Sequence, residues 1–169
     1  DNDTLKTYIV NDEWMQKKGK LSIHLKDFKG NTLWSTTKDI LVDKNSSAIY
    51  HELDLNSLKI NRKDIVVVTQ FDGKTSYFYL VKPKELALEN SAITTNITDT
   101  KDGFTIELKS TTLQKDVFLF TDAKGHFSDN FFDLMPNQSL KIEFKTNAST
   151  IDDLKIKTLN MFVNGHFSS

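Results

Sequence analysis

Apolar and polar residues alternate with a period of two along much of the chain. The segment LSIHLKDF places Leu21, Ile23 and Leu25 on one face of a strand, and GFTIELKS and SLKIEFKT repeat the pattern. A period of two puts one face of a strand in a core and the other in water, as in antiparallel sheets. The pattern therefore predicts an all-β chain.

Turn signals divide these strands. IVVVTQF and SYFYLV are continuous apolar runs that predict central strands, and Asp72–Gly73 between them is a hairpin signal. FKGN and KDGF predict further turns, and the helical signal at Asp54–Lys59 predicts a single turn. About six strand-like segments in the first half and five in the second predict two tandem β-sandwiches.

Composition changes between the two halves. Both Trp and all four Tyr lie before residue 88, whereas nine of the twelve Phe lie after it. Residues 1–88 carry 14 Lys and Arg against 12 Asp and Glu, and residues 89–169 carry 8 against 11. The shift falls near KPKELALENS, where Pro83 interrupts the apolar pattern. We therefore predict two domains, residues 1–88 and residues 89–169.

Charge and cysteine content narrow the function classes. The net charge of −1 gives no electrostatic reason to expect nucleic acid or an anionic membrane as a partner. The chain has no Cys, which excludes disulfides, thiolate nucleophiles and Cys-based zinc sites. No apolar run approaches the roughly 20 residues of a membrane helix, and the polar start DNDTLKTYIV is neither a signal peptide nor a lipid anchor.

The sequence offers no catalytic constellation. None of the four His is paired with another at a metal-binding spacing, and neither a GxSxG elbow nor a phosphate-binding glycine loop occurs. The adjacent carboxylates Asp12–Glu13 and Asp152–Asp153 point to opposite faces if they lie on strands. SDNFFD and DKNSS are weak calcium candidates, and turns are the preferred interpretation of both. We predict no catalytic residue, metal or cofactor.

Sugar binding is a more serious possibility. Carbohydrate sites present flat aromatic rings. Trp14 follows VNDE and so lies at a strand end or in a loop, and Trp34 lies in TLWSTT, where polar residues surround it. Both are therefore candidate carbohydrate-binding platforms. The alternative, which we favour, is that a lone Trp in a β-sandwich belongs to the core.

The stretch Phe118–Phe144 resembles the C-terminal immunoglobulin-like domain of β-mannosidases of glycoside hydrolase family 2. That family carries a pattern of the type F-S-D-N-[FY]-F-D-L-[LM]-P-[GN], and Phe127–Asn137 matches nearly every position. Asn137 stands where Gly is usual, and Asn is the residue that next best tolerates a left-handed turn.

The first half supports the same assignment. YIVND, LKDFKGNTLWS and YFYLVKPKELAL resemble the preceding sandwich domain of these mannosidases. The resemblance thus covers essentially the whole chain and implies two tandem immunoglobulin-like antiparallel β-sandwich domains. Exo-glucosaminidases share this plan, so the resemblance leaves the sugar open.

The resemblance implies a retaining hydrolase of terminal β-mannosides as the parent protein, with two glutamates on a (β/α)8 barrel. The family's acid/base lies in an Asn-Glu pair, which this chain lacks. We therefore expect the parent to be the enzyme and this chain alone to have no hydrolytic activity. The expected partner is the catalytic barrel of the same polypeptide, with β-mannoside glycans as a further candidate. The family setting is the bacterial periplasm or exterior, or the lysosome in a eukaryote.

Three functions remain open at this point. The first is a non-catalytic accessory region that supports the barrel. The second is a carbohydrate-binding module for mannan or N-glycan chains, and the third is an immunoglobulin-like surface or adhesion module. The halves share no clear internal period, which disfavours the third.

The motif itself predicts structure rather than chemistry. Phe131, Phe132, Leu134 and Met135 are too dense for a simple alternating strand, so we expect a compact segment whose apolar groups plug one end of the second sandwich. Asp129 and Asn130 are expected to satisfy the turn amides of this segment, and Pro136 to end it before the strand SLKIEF. Asp133 is the remaining residue of this structural motif. In this arrangement Phe131 or Phe132 is largely buried.

Overall fold

The computed structural model describes residues 3–163, and the chain divides into two compact units. One unit contains the chain up to Asp27 together with Thr32–Pro83, and the other contains Phe28–Asn31 together with the chain from Lys84 onward. Antiparallel strands dominate both units. The predicted all-β fold class is confirmed.

The first unit has two antiparallel sheets. Its strands in the described residues are β1 Thr4–Asn11, β2 Lys17–Asp27, β3 Thr32–Val42, β4 Ser46–Asp54, β5 Ile65–Phe71 and β6 Lys74–Tyr79. Strands β1 and β4 pair with each other, and the other four form a sheet in the order β3-β2-β5-β6. Single 3-10 turns lie at Leu55–Ser57 and Arg62–Asp64, and a third, Pro83–Glu85, begins at the last residue of this unit.

The core of this unit follows the alternation seen in the sequence. Its buried apolar residues are Leu21, Ile23, Leu25, Ile40, Val42, Leu55, Ile65 and Val67. Val66 and Val68 are buried as well, so β5 is covered on both faces, as its apolar run predicts. Strand β6 differs because it lies at the sheet edge and is mostly exposed, so the prediction of a central strand over SYFYLV is wrong.

Local signals predicted the connections of this unit well. Asp72 and Gly73 both have positive φ, at 52° and 71°, which suits the two-residue hairpin between β5 and β6. The helical signal corresponds to the turn at Leu55–Ser57, where the Asp54 side chain accepts a hydrogen bond from the backbone N–H of Asn56.

The second unit also has two sheets. Its strands in the described residues are β7 Thr94–Thr100, β8 Gly103–Lys109, β9 Gln114–Phe120, β10 Gly125–Phe127, β11 Phe132–Leu134, β12 Ser139–Thr146 and β13 Lys155–Lys157. The sheet orders are β10-β12-β8-β7 and β11-β9-β13, and a short helix, α1, spans Leu159–Val163. No helix within residues 3–163 has the length and apolar character to cross a membrane.

The core of the second unit comes from the inward faces of both sheets. Its buried residues are Phe104, Ile106, Leu108, Val117, Leu119, Leu134, Ile142, Phe144 and Ile151. The described part of this unit contains seven strands, whereas the sequence predicted about five. Strands β10, β11 and β13 have only three residues each, which is too short for a period of two to be visible.

Candidate functional site

The loop between β1 and β2 is fixed by the side chain of Asn11, which is itself buried. The Asn11 Nδ2 donates hydrogen bonds to the carbonyl oxygens of Met15, at 2.8 Å, and Asp43, at 2.9 Å. The Asn11 Oδ1 accepts from the backbone N–H of Glu13 at 3.2 Å. One carboxamide therefore holds the backbone immediately before and immediately after Trp14.

An ionic contact anchors the same loop. The Lys17 Nζ lies 2.7 Å from both the Asp72 Oδ2 and the Glu13 Oε1. Hydrogen bonds to Asp72 and Glu13 raise the pKa of Lys17, and the bond from Lys17 lowers the pKa of Asp72. At neutral pH the positive charge of Lys17 and the negative charges of Glu13 and Asp72 therefore stabilise one another.

The fixed loop presents its aromatic residue to solvent. The Trp14 side chain is 82% exposed, and Met15 beside it is also exposed. An exposed Trp is uncommon because its large apolar ring normally packs inside a protein or an interface. Of the two predicted platforms, this one has an open ring.

The neighbouring outer face of the β1–β4 sheet adds apolar surface that the sequence reasoning missed. Tyr8 lies opposite Ile49 in the register, and both side chains are exposed, as is Val10 on the same face. The signal was ambiguous because the inward positions of β1 include the apolar Ile9 and the polar Asn11. Periodicity could not show which face of β1 meets the core.

Trp34 lies in a different environment from Trp14. It is half-buried, packs against the core of the first unit, and its ring centroid lies 5.5 Å from that of His51. The His51 Nε2 is buried and has no hydrogen-bond partner in residues 3–163, and burial, with the charge of Lys38, lowers the pKa of His51. Trp34 belongs with the core rather than with an open platform.

In the second unit, the Asn130 side chain makes hydrogen bonds to β9 of the kind that the backbone of a neighbouring strand would make. Its Oδ1 accepts from the backbone N–H of Leu119 at 2.8 Å, and its Nδ2 donates to the Leu119 carbonyl at 2.9 Å. The same Oδ1 accepts from the N–H of Phe131 at 3.2 Å, and the Asp129 Oδ1 accepts from the N–H of Asn130 at 2.8 Å. These bonds extend the pairing of β9 one step beyond the end of β11.

The other acidic residue of the motif, Asp133, is already engaged. The Asp133 Oδ1 accepts from the N–H of Asp116 at 3.0 Å and lies 3.1 Å from the Lys115 Nζ. The Asp116 Oδ1 lies 2.8 Å from the same ammonium group. Burial opposes the charge of Lys115, but the hydrogen bonds that Lys115 donates to the two carboxylates outweigh it and raise the pKa of Lys115. Among residues 3–163, no three His, Asp or Glu side chains converge as metal ligands do.

The two adjacent phenylalanines of the motif point in opposite directions. Phe132 is half-buried against the core, and Leu134, Met135 and Pro136 are buried. Phe131 has a φ of 60° and is 67% exposed, so the expectation that all four apolar side chains plug the sandwich is wrong for Phe131. The positive φ turns its side chain out of the alternation that buries Phe132.

Phe131 joins a stack of rings on the outer face of the β11-β9-β13 sheet. Its ring centroid lies 4.6 Å from that of Phe118, which lies 5.7 Å from that of Phe120. The Lys155 and Lys157 Nζ atoms lie 5.6 Å and 5.4 Å from the centre of the Phe120 ring. We call these five residues the phenylalanine face.

Two sequence families match the chain. Residues 3–85 match a mannosidase Ig/CBM-like domain, and residues 88–161 match an Ig-fold domain of the mannosidase type. The chain belongs to these mannosidase immunoglobulin-like domain families. The resemblance seen in the sequence is therefore confirmed for both halves of the chain. We call the two matched domains together the mannosidase-type pair.

Curated relatives are much longer than this chain. Beta-mannosidase A from Aspergillus flavus and Beta-mannosidase A from Aspergillus oryzae are each 28% identical over 174 residues, covering 88% of this chain and 18% of each relative. The mannosidase-type pair thus spans about a fifth of the length of the relatives it matches.

Solved structures share the fold. The beta-D-mannosidase from Dictyoglomus thermophilum matches with a TM-score of 0.69 and 20% identity, over 94% of this chain and 20% of that one. The exo-chitosanase from Amycolatopsis orientalis matches with a TM-score of 0.53 and 13% identity, over 92% of this chain and 24% of that one. At these identities the likeness shows the fold of the mannosidase-type pair and nothing about its chemistry.

Proposed function

We propose that the chain is a non-catalytic accessory region of a retaining β-mannosidase, in which it stabilises the catalytic domain. One observation carries the proposal. Two mannosidase-type domains account for residues 3–85 and 88–161, yet the chain spans only 18% of the β-mannosidase relatives. The proposal assigns the hydrolysis of terminal β-D-mannose residues to the remaining four-fifths of such a polypeptide.

The physical basis of such support is tethered docking. Each unit has its own apolar core, so each can present a rigid surface. A domain held on the same polypeptide meets its neighbour at an effective concentration on the order of millimolar. Binding only the folded neighbour then shifts the folding equilibrium of that neighbour toward the native state.

The test compares the parent enzyme with and without this region. We expect the truncated enzyme to melt at a lower temperature and to lose hydrolysis of an aryl β-mannoside on warming, while the 169-residue chain alone releases no product. Adding the separate chain to the truncated enzyme should restore part of the stability. A truncated enzyme with undiminished activity and melting temperature would show that the region has no supporting role.

A second function, carbohydrate binding, is favoured by the geometry of the Trp14 loop. The indole is 82% exposed, and Asn11 fixes the backbone on both sides of it. Because the loop is already ordered, little conformational entropy would be lost when a flat pyranose face stacks on the ring. The carboxylates of Asp12 and Glu13 adjoin the ring in sequence and are exposed. A manno-oligosaccharide is the ligand class that this arrangement and the Ig/CBM-like match support.

Nuclear magnetic resonance can test this with an internal control. The chain has two Trp, so its indole N–H signals report Trp14 and Trp34 separately. Titration with mannobiose and mannotetraose should shift the Trp14 signal, with dissociation constants on the order of millimolar for a single open ring, and leave Trp34 unmoved. Trp14→Ala should abolish the heat of binding, and Met15→Ala should preserve most of it. Equal or absent shifts at both indoles would exclude a site on this loop.

A further inference from the structure

We propose that the phenylalanine face is covered, in the parent polypeptide, by an apolar surface of another domain that carries carboxylates opposite Lys155 and Lys157. The inference rests on the proposed function and names the surface through which the accessory region acts.

The first argument is the backbone of Phe131. A φ of 60° is an outlier for a bulky side chain, and the backbone of Phe131 is therefore strained. The Asn130 carboxamide holds this conformation through bonds to Leu119 and to the N–H of Phe131. The strain serves to hold a ring outside the core, where two-thirds of it meets solvent. A stabilising contact of that ring with another surface would offset the strain.

The second argument is the geometry of the rings. The planes of Phe118 and Phe131 differ by 25°, and those of Phe118 and Phe120 by 20°, so neighbouring rings cover one another's faces. The two lysine ammonium groups lie against the Phe120 ring. Phe131, at the end of the stack, is exposed, and the ammonium groups lie at the Phe120 end. Several rings with cations beside them form a broad mixed surface rather than one flat platform, and aromatic side chains of this kind are enriched where proteins pack against each other.

The third argument is charge. Lys155 lies opposite Phe120 and Lys157 opposite Phe118 in the register, both lysines are exposed, and neither forms an ion pair within residues 3–163. Hydrogen bonds from the hydroxyl of Thr121 and the N–H of Asp122 lower the pKa of the nearby Asp153, and the charge of Lys155 contributes less to this shift. The ammonium groups of Lys155 and Lys157 thus place positive charge beside the rings, which is complementary to carboxylates on an opposing surface.

The same charges argue against a second copy as the occupant. A two-fold contact would bring the same patch of each copy together, which would oppose lysine to lysine. By contrast, more than four-fifths of the length of the β-mannosidase relatives lies outside the matched region. That length provides ample surface for another domain of the same polypeptide to cover the face.

The chain has no Cys, so a single introduced thiol can report coverage. Lys157→Cys lies on the phenylalanine face, and Lys141→Cys is a matched control on an exposed position of β12 in the other sheet. Each variant is made in the 169-residue chain and in the parent polypeptide, and alkylation at the introduced position is followed by peptide mass spectrometry. We expect Lys157→Cys to react at least about tenfold more slowly in the parent than in the separate chain, and Lys141→Cys to change less than about twofold.

A second measurement separates the possible failures. The double variant Lys155→Glu/Lys157→Glu should lower the melting temperature of the parent and leave that of the separate chain nearly unchanged. If truncation destabilises the parent but Lys157→Cys reacts equally fast in both contexts, this inference is wrong and the proposed function stands. If truncation has no effect on the parent, the proposed function is wrong, and the inference that rests on it is wrong as well. Slow reaction already in the separate chain, with a dimer in analytical ultracentrifugation, would identify a second copy and overturn the inference.

Discussion

The Trp14 loop and the phenylalanine face lie in different units, but each contains an exposed aromatic residue whose backbone is held by a neighbouring side chain. Each holds an aromatic residue in solvent with one asparagine carboxamide: Asn11 binds the backbone around Trp14, and Asn130 binds the backbone beside Phe131. They differ in the ring's surroundings. The indole of Trp14 is 82% exposed, whereas the ring of Phe131 is stacked on that of Phe118.

The difference shows that exposure alone does not indicate a type of ligand. An open ring on a fixed loop suits a flat ligand such as a pyranose, because the ring's face is available for stacking. A row of stacked rings with two lysines at one end suits a protein surface, because it combines a broad apolar area with positive charge. The arrangement of neighbours therefore separates the two proposed functions. The sequence could not do so, because it favoured a core position for each Trp and expected Phe131 or Phe132 to be buried.

The largest expected effect separates Phe131 from Phe132. Phe132→Ala removes a ring packed against the core and should lower the free energy of unfolding by about 3 kcal/mol. Phe131→Ala removes an exposed ring and one stacking contact, so it should cost less than about 1 kcal/mol. Urea unfolding followed by circular dichroism measures both. Equal costs would mean that the two rings share one environment.

The next effect compares the two tryptophans. Trp34→Ala should destabilise the first unit by about 2 kcal/mol because it removes a half-buried ring from the core, whereas Trp14→Ala should cost less than about 0.5 kcal/mol. Calorimetry gives both values. Loss of the Trp34 ring should also relieve the burial of His51, so the pKa of His51 should rise toward its usual value in a proton NMR titration. An unchanged His51 titration would mean that Trp34 does not shield it.

A smaller effect concerns the two asparagines. Asn11→Ala and Asn130→Ala each leave several backbone groups without a partner and should each cost about 1–2 kcal/mol. Amide hydrogen exchange locates the damage: the Glu13 amide should exchange faster in the first variant and the Leu119 amide in the second. Exchange that rises throughout both units in either variant would contradict the local role of these side chains.

The smallest effect is a pH dependence at the Trp14 loop. The hydrogen bond from Lys17 lowers the pKa of Asp72 in the folded state, so the stability that Asp72 contributes is present above its ordinary pKa of 3.8 and is lost as the pH falls through the lowered value. The native chain should be more stable to unfolding than Asp72→Asn at pH 7, and this difference in the free energy of unfolding should shrink as the pH is lowered below about 5. Asn tolerates the positive φ of this position, so the turn is kept.

The control for this prediction is salt. The Lys17–Asp72 pair is exposed, so about 1 M sodium chloride should reduce the difference at pH 7 by screening. An advantage that is the same at every pH and salt concentration would show that Asp72 acts through the turn and not through its charge.

Much of the fold was visible in the sequence because burial in an antiparallel sheet imposes a period of two. The alternation over Leu21–Leu25 and the apolar run of β5 correctly indicated buried strands. Position within a sheet was not visible, because an aromatic edge strand such as β6 and a buried central strand have similar composition. That distinction depends on which strand arrives beside it, which is a long-range property.

The candidate sites were harder to predict for the same reason. Trp14 and Trp34 each lie in a polar stretch of sequence, and it is the packing of Trp34 against the core and against His51 from β4 that distinguishes it. Phe131 and Phe132 are adjacent and chemically identical. Their opposite orientations depend on the bonds between Asn130 and Leu119, which lies eleven residues earlier in the chain. No local pattern encodes such a contact.

The side-chain bond between Asn130 and Leu119 also has a consequence for the dynamics of the second unit. A backbone ladder opens only when strands separate, but this amide is protected by a single rotatable side chain. The Leu119 amide should therefore exchange through a local opening of lower free energy than its neighbours in β9, which require the sheet to separate. The exchange rate of the Leu119 amide would therefore report how often Phe131 leaves its outward position. In the parent polypeptide, the same rate would report how firmly the proposed neighbouring domain holds the Phe131 ring.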